Sequence, residues 1–145
     1  MSDTHIDRIL ENLSAVLPVF HKKLLKMNLG GVTGDLTRLH LGIMGMLREG
    51  SLPVSELARM TVIPKPQMTR LIDQLVKAGI VERRADSADR RVINIALTEY
   101  GRVLAEDVKR KVQESIRTDL AGLAPEELAE MAKALEALRR IVAKL

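Results

Sequence analysis

The feature that most constrains this chain is a change of hydrophobic period between residues 65 and 98. Over Lys65 to Ala78, the residues Met68, Leu71, Ile72 and Leu75 recur at i, i+3, i+4 and i+7. That spacing puts them on one face of a helix, and Gly79 supplies the stop. The stretches Ile80 to Arg84 and Val92 to Thr98 then read as strands. In the second, Ile93, Ile95 and Leu97 alternate with Val92, Asn94 and Ala96. Between the strands lies Ala-Asp-Ser-Ala-Asp-Arg, a polar turn-forming tip. A helix leading directly into a hairpin is a strong restriction on topology.

Upstream, a helical pattern runs over residues 5–29 through Ile6, Ile9, Leu10, Leu13, Val16, Leu17, Phe20, Leu24 and Leu25. Pro18 inside it removes a backbone donor and predicts a kink or a division, and Gly30-Gly31 predicts the end. A second helix is expected over Leu36 to Arg48, with Thr37 or Asp35 as N-cap and Gly50 as stop. Leu52-Pro53-Val54 reads as a short extended piece, and Ser55 as the cap of a short helix over Glu56 to Met60. Pro64 and Pro66 flank the start of the Lys65 helix, where a missing N–H is tolerated. Beyond the hairpin, Thr98 caps a long helix from Glu99 to about Ala121, broken at Gly122. Pro125 opens a last helix with the apolar stripe Leu128, Met131, Leu135, Leu138, Val142 and Leu145.

Helix, short helix, tight turn, longer helix and hairpin, in that order, make a winged helix-turn-helix. The fold expected is mainly α with a small β-hairpin wing, flanked by N- and C-terminal helices. Composition agrees. Phe20 and Tyr100 are the only aromatic residues and Trp is absent, so the core must be built from Leu, Ile, Val, Ala and Met. There is no Cys, which excludes disulfides and thiolate metal sites. His5, His21 and His40 lack any paired ligand spacing, so neither a metal nor another cofactor is expected. No phosphate loop, nucleophile elbow or paired-carboxylate pattern is present, so an enzyme is not expected. The charged N-terminus lacks a signal-peptide core and no stretch has the ~20 apolar residues of a membrane span, so a cytoplasmic protein with no membrane partner is expected.

The formal net charge of +4 is unevenly placed. Between Arg59 and Arg91 there are eight basic residues and four acidic ones, while the rest of the chain carries 15 of each. The whole excess therefore lies on the winged module, the footprint expected of a phosphate-binding surface. On the face of the Lys65 helix opposite its buried stripe lie Thr69, Arg70, Asp73, Gln74 and Lys77. Arg70 is the leading candidate for direct base readout, since Arg bidentate to guanine is the commonest specific contact. Gln67, Thr69 and Gln74 are candidates for bases or phosphates, and Lys65 and Lys77 for phosphates. Arg90, at the tip of the hairpin, is the candidate minor-groove or backbone contact. Arg83 and Arg84 read equally well as a solvated strand edge.

Residues 36–102 resemble the multiple antibiotic resistance regulator (MarR) family. The motifs that carry the likeness are SELA at 55–58, MTRLIDQLVKAGIVER at 68–83, D-x-x-D-R-R at 86–91, and LT-x-x-G ending at Gly101. The resemblance implies a homodimer whose terminal helices interlock and whose two winged modules straddle a pseudo-palindromic double-stranded DNA operator. It divides the chain into residues 1–33 and 104–145 for dimerisation and 34–103 for DNA binding. It further implies a repressor, released by a small aromatic, phenolic or anionic effector bound between those parts, and His21 and His40 are candidates to line that pocket. The family's matching pair makes Asp73 and Arg91 a structural salt bridge. Pro64 and Pro66 stand where many members have Ser or Thr, which shifts phosphate contacts toward Lys65 and Gln67. Two other readings remain at this stage: a winged-helix regulator with no small-molecule ligand, and a winged-helix protein-interaction module.

Overall fold

The computed structural model describes residues 2–145. Seven helices and three strands follow in the order α1 (Ser2–Lys26), α2 (Gly30–Thr33), α3 (Arg38–Met46), β1 (Leu52–Pro53), α4 (Val54–Arg59), α5 (Lys65–Lys77), β2 (Val81–Ala85), β3 (Ile93–Leu97), α6 (Glu99–Leu120) and α7 (Pro125–Val142). A 3-10 turn, Leu47–Glu49, extends α3. The chain forms two compact units, Met1–Lys109 and Arg110–Leu145. Each is described by itself.

The first unit holds the core. Ile43, Met44 and Leu47 from the α3 region meet Leu57 of α4, Met68, Leu71, Ile72 and Leu75 of α5, Ile80 and Val81, Ile95 and Leu97 of β3, and Leu104 and Ala105 of α6. The four α5 residues are the stripe expected from its period, and all are buried. No aromatic side chain takes part. The two strands of the hairpin pair antiparallel with Val81 opposite Leu97 and Ala85 opposite Ile93. The sheet has three strands, in the order β1-β3-β2, because Leu52-Pro53 adds to the other edge of β3. Pro53 is tolerated there because an edge position needs no N–H on its outer side.

The helix boundaries show which local rules prevailed. Pro18 lies inside α1 and does not divide it, and α1 stops at Lys26, before the Gly30-Gly31 pair. Those glycines instead open the one-turn helix α2. Thr37, not Asp35, caps α3. Ser55 does not cap α4: the helix begins one residue earlier, at Val54, with Pro53 in extended conformation before it. α5 ends as expected at Gly79, whose φ of 73° suits only glycine without strain. Gly79 N–H donates to Val76 O at 3.0 Å, and Ile80 N–H donates back to Leu75 O at 3.0 Å. This six-to-one closure turns the chain directly from the end of α5 into the wing.

Thr98 closes the other end of the wing. Its hydroxyl donates to Gly79 O at 2.6 Å and accepts from Gly101 N–H at 3.0 Å, so one side chain caps α6 and fastens it to the end of α5. Thr98 N–H donates to Ile80 O at 3.0 Å.

In the second unit, α7 starts at Pro125, and the Glu127 carboxylate accepts the Ala124 N–H at 3.1 Å. This restores part of what a Ser or Thr cap would give. Large apolar side chains stand exposed on α7 (Leu128, Leu135, Leu138, Ile141, Val142), as they do along α1 in the first unit (Ile6, Ile9, Leu10, Leu13, Leu17).

Candidate nucleic-acid interface and the cavity behind it

α5 buries one face and leaves the other open. Lys65, Thr69, Arg70, Asp73 and Lys77 are exposed, and Gln67 is half-buried. Among the described residues, the side chains of Lys65, Arg70, Lys77 and Arg90 are held by no intramolecular ion pair, so their charge is available to a ligand. Pro64 precedes α5 and Pro66 lies in its first turn, so no side chain caps the helix. The helix start therefore presents the backbone N–H groups of Lys65 and Gln67 together with the Lys65 ammonium. Thr69 is partly committed, because its hydroxyl donates to Lys65 O at 3.0 Å. Without breaking that bond it can offer a ligand its methyl group or the accepting side of its hydroxyl, but no donor.

The expected Asp73–Arg91 bridge does not form. Asp73 pairs with Arg83 of β2. The reason is positional: β2 leaves directly from the end of α5, so Arg83 comes back alongside the helix, whereas Arg91 follows the hairpin tip. The Arg91 guanidinium is almost fully exposed, and its Nε lies 3.8 Å from Asp89 Oδ1. Arg83, which the sequence did not distinguish from a solvated strand residue, thus links the wing to α5. It also neutralises the one carboxylate on the exposed face of α5. At partly exposed positions such a pair contributes at most about 1 kcal/mol, so its role is mainly orientation.

The wing tip is organised by Asp86. Its carboxylate accepts from Ala88 N–H at 3.0 Å, Asp89 N–H at 3.1 Å and Asn94 Nδ2 at 2.8 Å. The Asn94 bond, then those two amides, hold the acid below its usual range. A group whose folded pKa is depressed contributes order above its unfolded value and loses it as pH falls through the folded one. The tip should therefore stay ordered down through the ordinary carboxylate range and loosen only below it. Backbone amide shifts of Ala88 and Asp89 followed during acid titration check this, and Asp86→Ala should speed exchange of both amides at neutral pH.

Gln74 is engaged within the protein. It lies on the flank of α5, and its Oε1 is 2.7 Å from Nε2 of His40, a buried residue on α3. The other ring nitrogen, Nδ1, accepts the Thr37 N–H at 3.0 Å, so Nε2 carries the hydrogen and donates it to Gln74. His40 and Gln74 border a cavity of about 640 Å³ whose wall also includes Thr33, Asp35, Thr37, Tyr100 and Leu104. His40 thus lies on the wall of a cavity. His21 does not: it is exposed on α1 and is not part of that wall. The structure adds Asp35 and Tyr100, which sequence reasoning missed. Tyr100 was visible only as a variable position inside the LT-x-x-G motif.

No cluster of His, Asp or Glu able to hold a metal ion occurs among the described residues. No helix among them is long and apolar enough to cross a membrane.

Comparison with known proteins agrees with this geometry. Residues 34–92 match the model of the MarR family. The chain is 32% identical over 99 residues to the HTH-type transcriptional regulator YsmB of Bacillus subtilis, covering 68% of each protein. Its fold is similar to that of the YusO protein of Bacillus subtilis, with a TM-score of 0.68 at 26% identity over 97% of this chain and 98% of that one. It is also similar to FabT of Streptococcus pneumoniae, solved in complex with DNA, with a TM-score of 0.67 at 21% identity over 96% of this chain and 98% of that one. With a winged module whose helix α5 presents unpaired cations, and relatives that are transcription regulators and not enzymes, the chain belongs to the MarR family of DNA-binding transcription regulators.

Proposed function

We propose that the protein is a homodimeric repressor that reads a pseudo-palindromic operator and is released from it by a small molecule. The observation that carries this reading is the outward face of α5, where the unpaired Arg70 stands between Lys65 and Lys77, with the unpaired Arg90 at the wing tip. In this arrangement α5 enters the major groove and Arg70 reads a base edge. Lys65, Gln67 and Lys77 hold the flanking phosphates, Thr69 turns its methyl group toward a base, and Arg90 follows the backbone or the adjacent minor groove. FabT, whose fold is similar, is a DNA-bound example of the same architecture.

Dimerisation is supported by the rows of apolar side chains exposed on α1 and α7, which are larger than a monomer normally leaves to water. In this scheme residues 34–103 bind DNA and residues 1–33 and 104–145 pair the two copies, in the cytoplasm where operator DNA is found. Ligand release is supported by the cavity that adjoins both α3 and the recognition helix. Its volume lies within the roughly 300–1,000 Å³ of small-molecule sites.

Selection of bound genomic fragments followed by footprinting tests the reading. Two protected half-sites about one helical turn apart are expected, with affinity falling steeply as salt rises. Protection of a single half-site, or no fragment shifted at low salt, overturns it.

A further inference from the structure

The charge on the cavity wall is one-sided. Among the described residues that line it, Asp35 is the only one with a formal charge, and no Lys or Arg is among them. An anion entering this space would lie near a carboxylate with no cation on the wall to offset the repulsion, which is unfavourable. The aromatic acids that the family resemblance suggests are therefore poorly matched to this wall.

The polar groups that remain are specific in kind. His40 is 6% exposed, donates from Nε2 and accepts at Nδ1, where the Thr37 hydroxyl oxygen also lies 2.9 Å away. Its Nδ1 is occupied by the start of α3, so only the Nε2–H side faces a possible competitor. Gln74 presents its carbonyl to that hydrogen. A ligand that inserts between the two must accept from His40 Nε2, or it leaves that buried donor unsatisfied, and by donating to the exposed Gln74 Oε1 it keeps the bond that the glutamine loses. The remaining wall is partly apolar, with Leu36, Ile80 and Leu104.

We propose that this cavity selects an uncharged ligand with a paired acceptor and donor on one edge, as in a carboxamide or lactam, carried on an apolar body. Such a ligand replaces the direct His40–Gln74 hydrogen bond with two bonds of its own. Gln74 is then displaced, and because it belongs to α5, the displacement shifts the helix that reads DNA. The proposal rests on the ligand-released reading above and names the ligand class and the residue through which it acts.

Three compounds of one shape separate the possibilities: 2-naphthamide, 2-naphthoate and 2-naphthamidine. The amide sets a carbonyl acceptor beside an N–H donor on one edge, its second N–H pointing away, whereas the carboxylate has only acceptors and the amidinium only donors. Titration calorimetry on the full chain should rank the amide roughly tenfold or more tighter than either, about 1.4 kcal/mol per decade. On binding, the His40 Nε2–H signal in the proton–nitrogen spectrum should move. The amide should weaken operator binding by the native chain and leave operator binding by Gln74→Met unchanged from its own ligand-free value.

Tighter binding of naphthoate or naphthamidine overturns the proposal while leaving a ligand-released regulator in place. So does an amide effect that persists in Gln74→Met. If none of the three binds or alters operator affinity, the proposal falls together with the assignment of this cavity as an effector site. Operator binding by the ligand-free protein is measured in the same series and stands or falls separately.

Discussion

Gly101→Ala is expected to destabilise the protein by about 3 kcal/mol, near the upper end for overpacking a tight site. Ordinary helix propensity predicts the opposite sign, because Ala is favoured over Gly inside a helix by about 1 kcal/mol. Packing decides the outcome. Gly101 is buried in the first turn of α6, and a Cβ there would run into the carbonyl oxygen of Ile80, with the Ile80 carbonyl carbon at 3.0 Å and its Cγ2 at 3.3 Å. The obstacle is backbone, and that carbonyl is already fixed by the Thr98 N–H. Relief would require the start of α6 to separate from the start of the wing. Thermal unfolding should show a midpoint lowered by roughly 10 °C. Gly45→Ala is the matched control: it lies in α3 with open space around the added methyl, and should be neutral or stabilising. Equal midpoints for the two variants would remove the close approach as the reason for glycine at 101.

Arg70→Ala is expected to lower operator affinity by about 1–3 kcal/mol and to relax preference at one base pair in each half-site. The side chain is exposed and free of any intramolecular partner among the described residues, so its removal costs the fold little. Lys77→Ala should behave differently. Without its ammonium on a phosphate, binding should weaken for all sequences alike and the salt slope should fall by about one unit. Binding measured against a library of single-base operator variants at two salt concentrations distinguishes the two patterns. An Arg70→Ala profile that keeps every base preference at lower overall affinity would place Arg70 on the DNA backbone.

The elements that could be read from the sequence were those whose signal is local and redundant. α5 combines a full apolar stripe with a glycine that closes it, and the wing combines strand alternation with a polar tip, so both were placed within a residue or two. Boundaries that rest on a single weak preference were less predictable. Ser55 is a good capping residue in isolation, but Pro53 and Val54 continue from a strand into the helix and leave it no terminal position. Pro18 removes a single hydrogen bond in a 25-residue helix, too little to divide it. The site was legible in proportion to its exposure. That Lys65, Arg70 and Lys77 lie on the outward face of α5 follows from helical period alone. Pairing partners do not: the competition between Arg83 and Arg91 for Asp73 was settled by which strand returns along the helix. The hydrogen bond between His40 and Gln74 spans 34 positions of sequence and no periodicity announces it.

Tyr100, on the cavity wall, has a practical consequence for work on the protein in solution. It is the only tyrosine in a chain that has no tryptophan. Ultraviolet emission excited in the tyrosine band therefore comes from a single known place, beside the chamber next to the recognition helix. Quenching or enhancement on adding a compound that does not itself absorb in that band is a local report needing no label and no engineered probe. The scarcity of aromatic residues that forced an aliphatic core has left the molecule with its own optical gauge at the position where a readout is most useful.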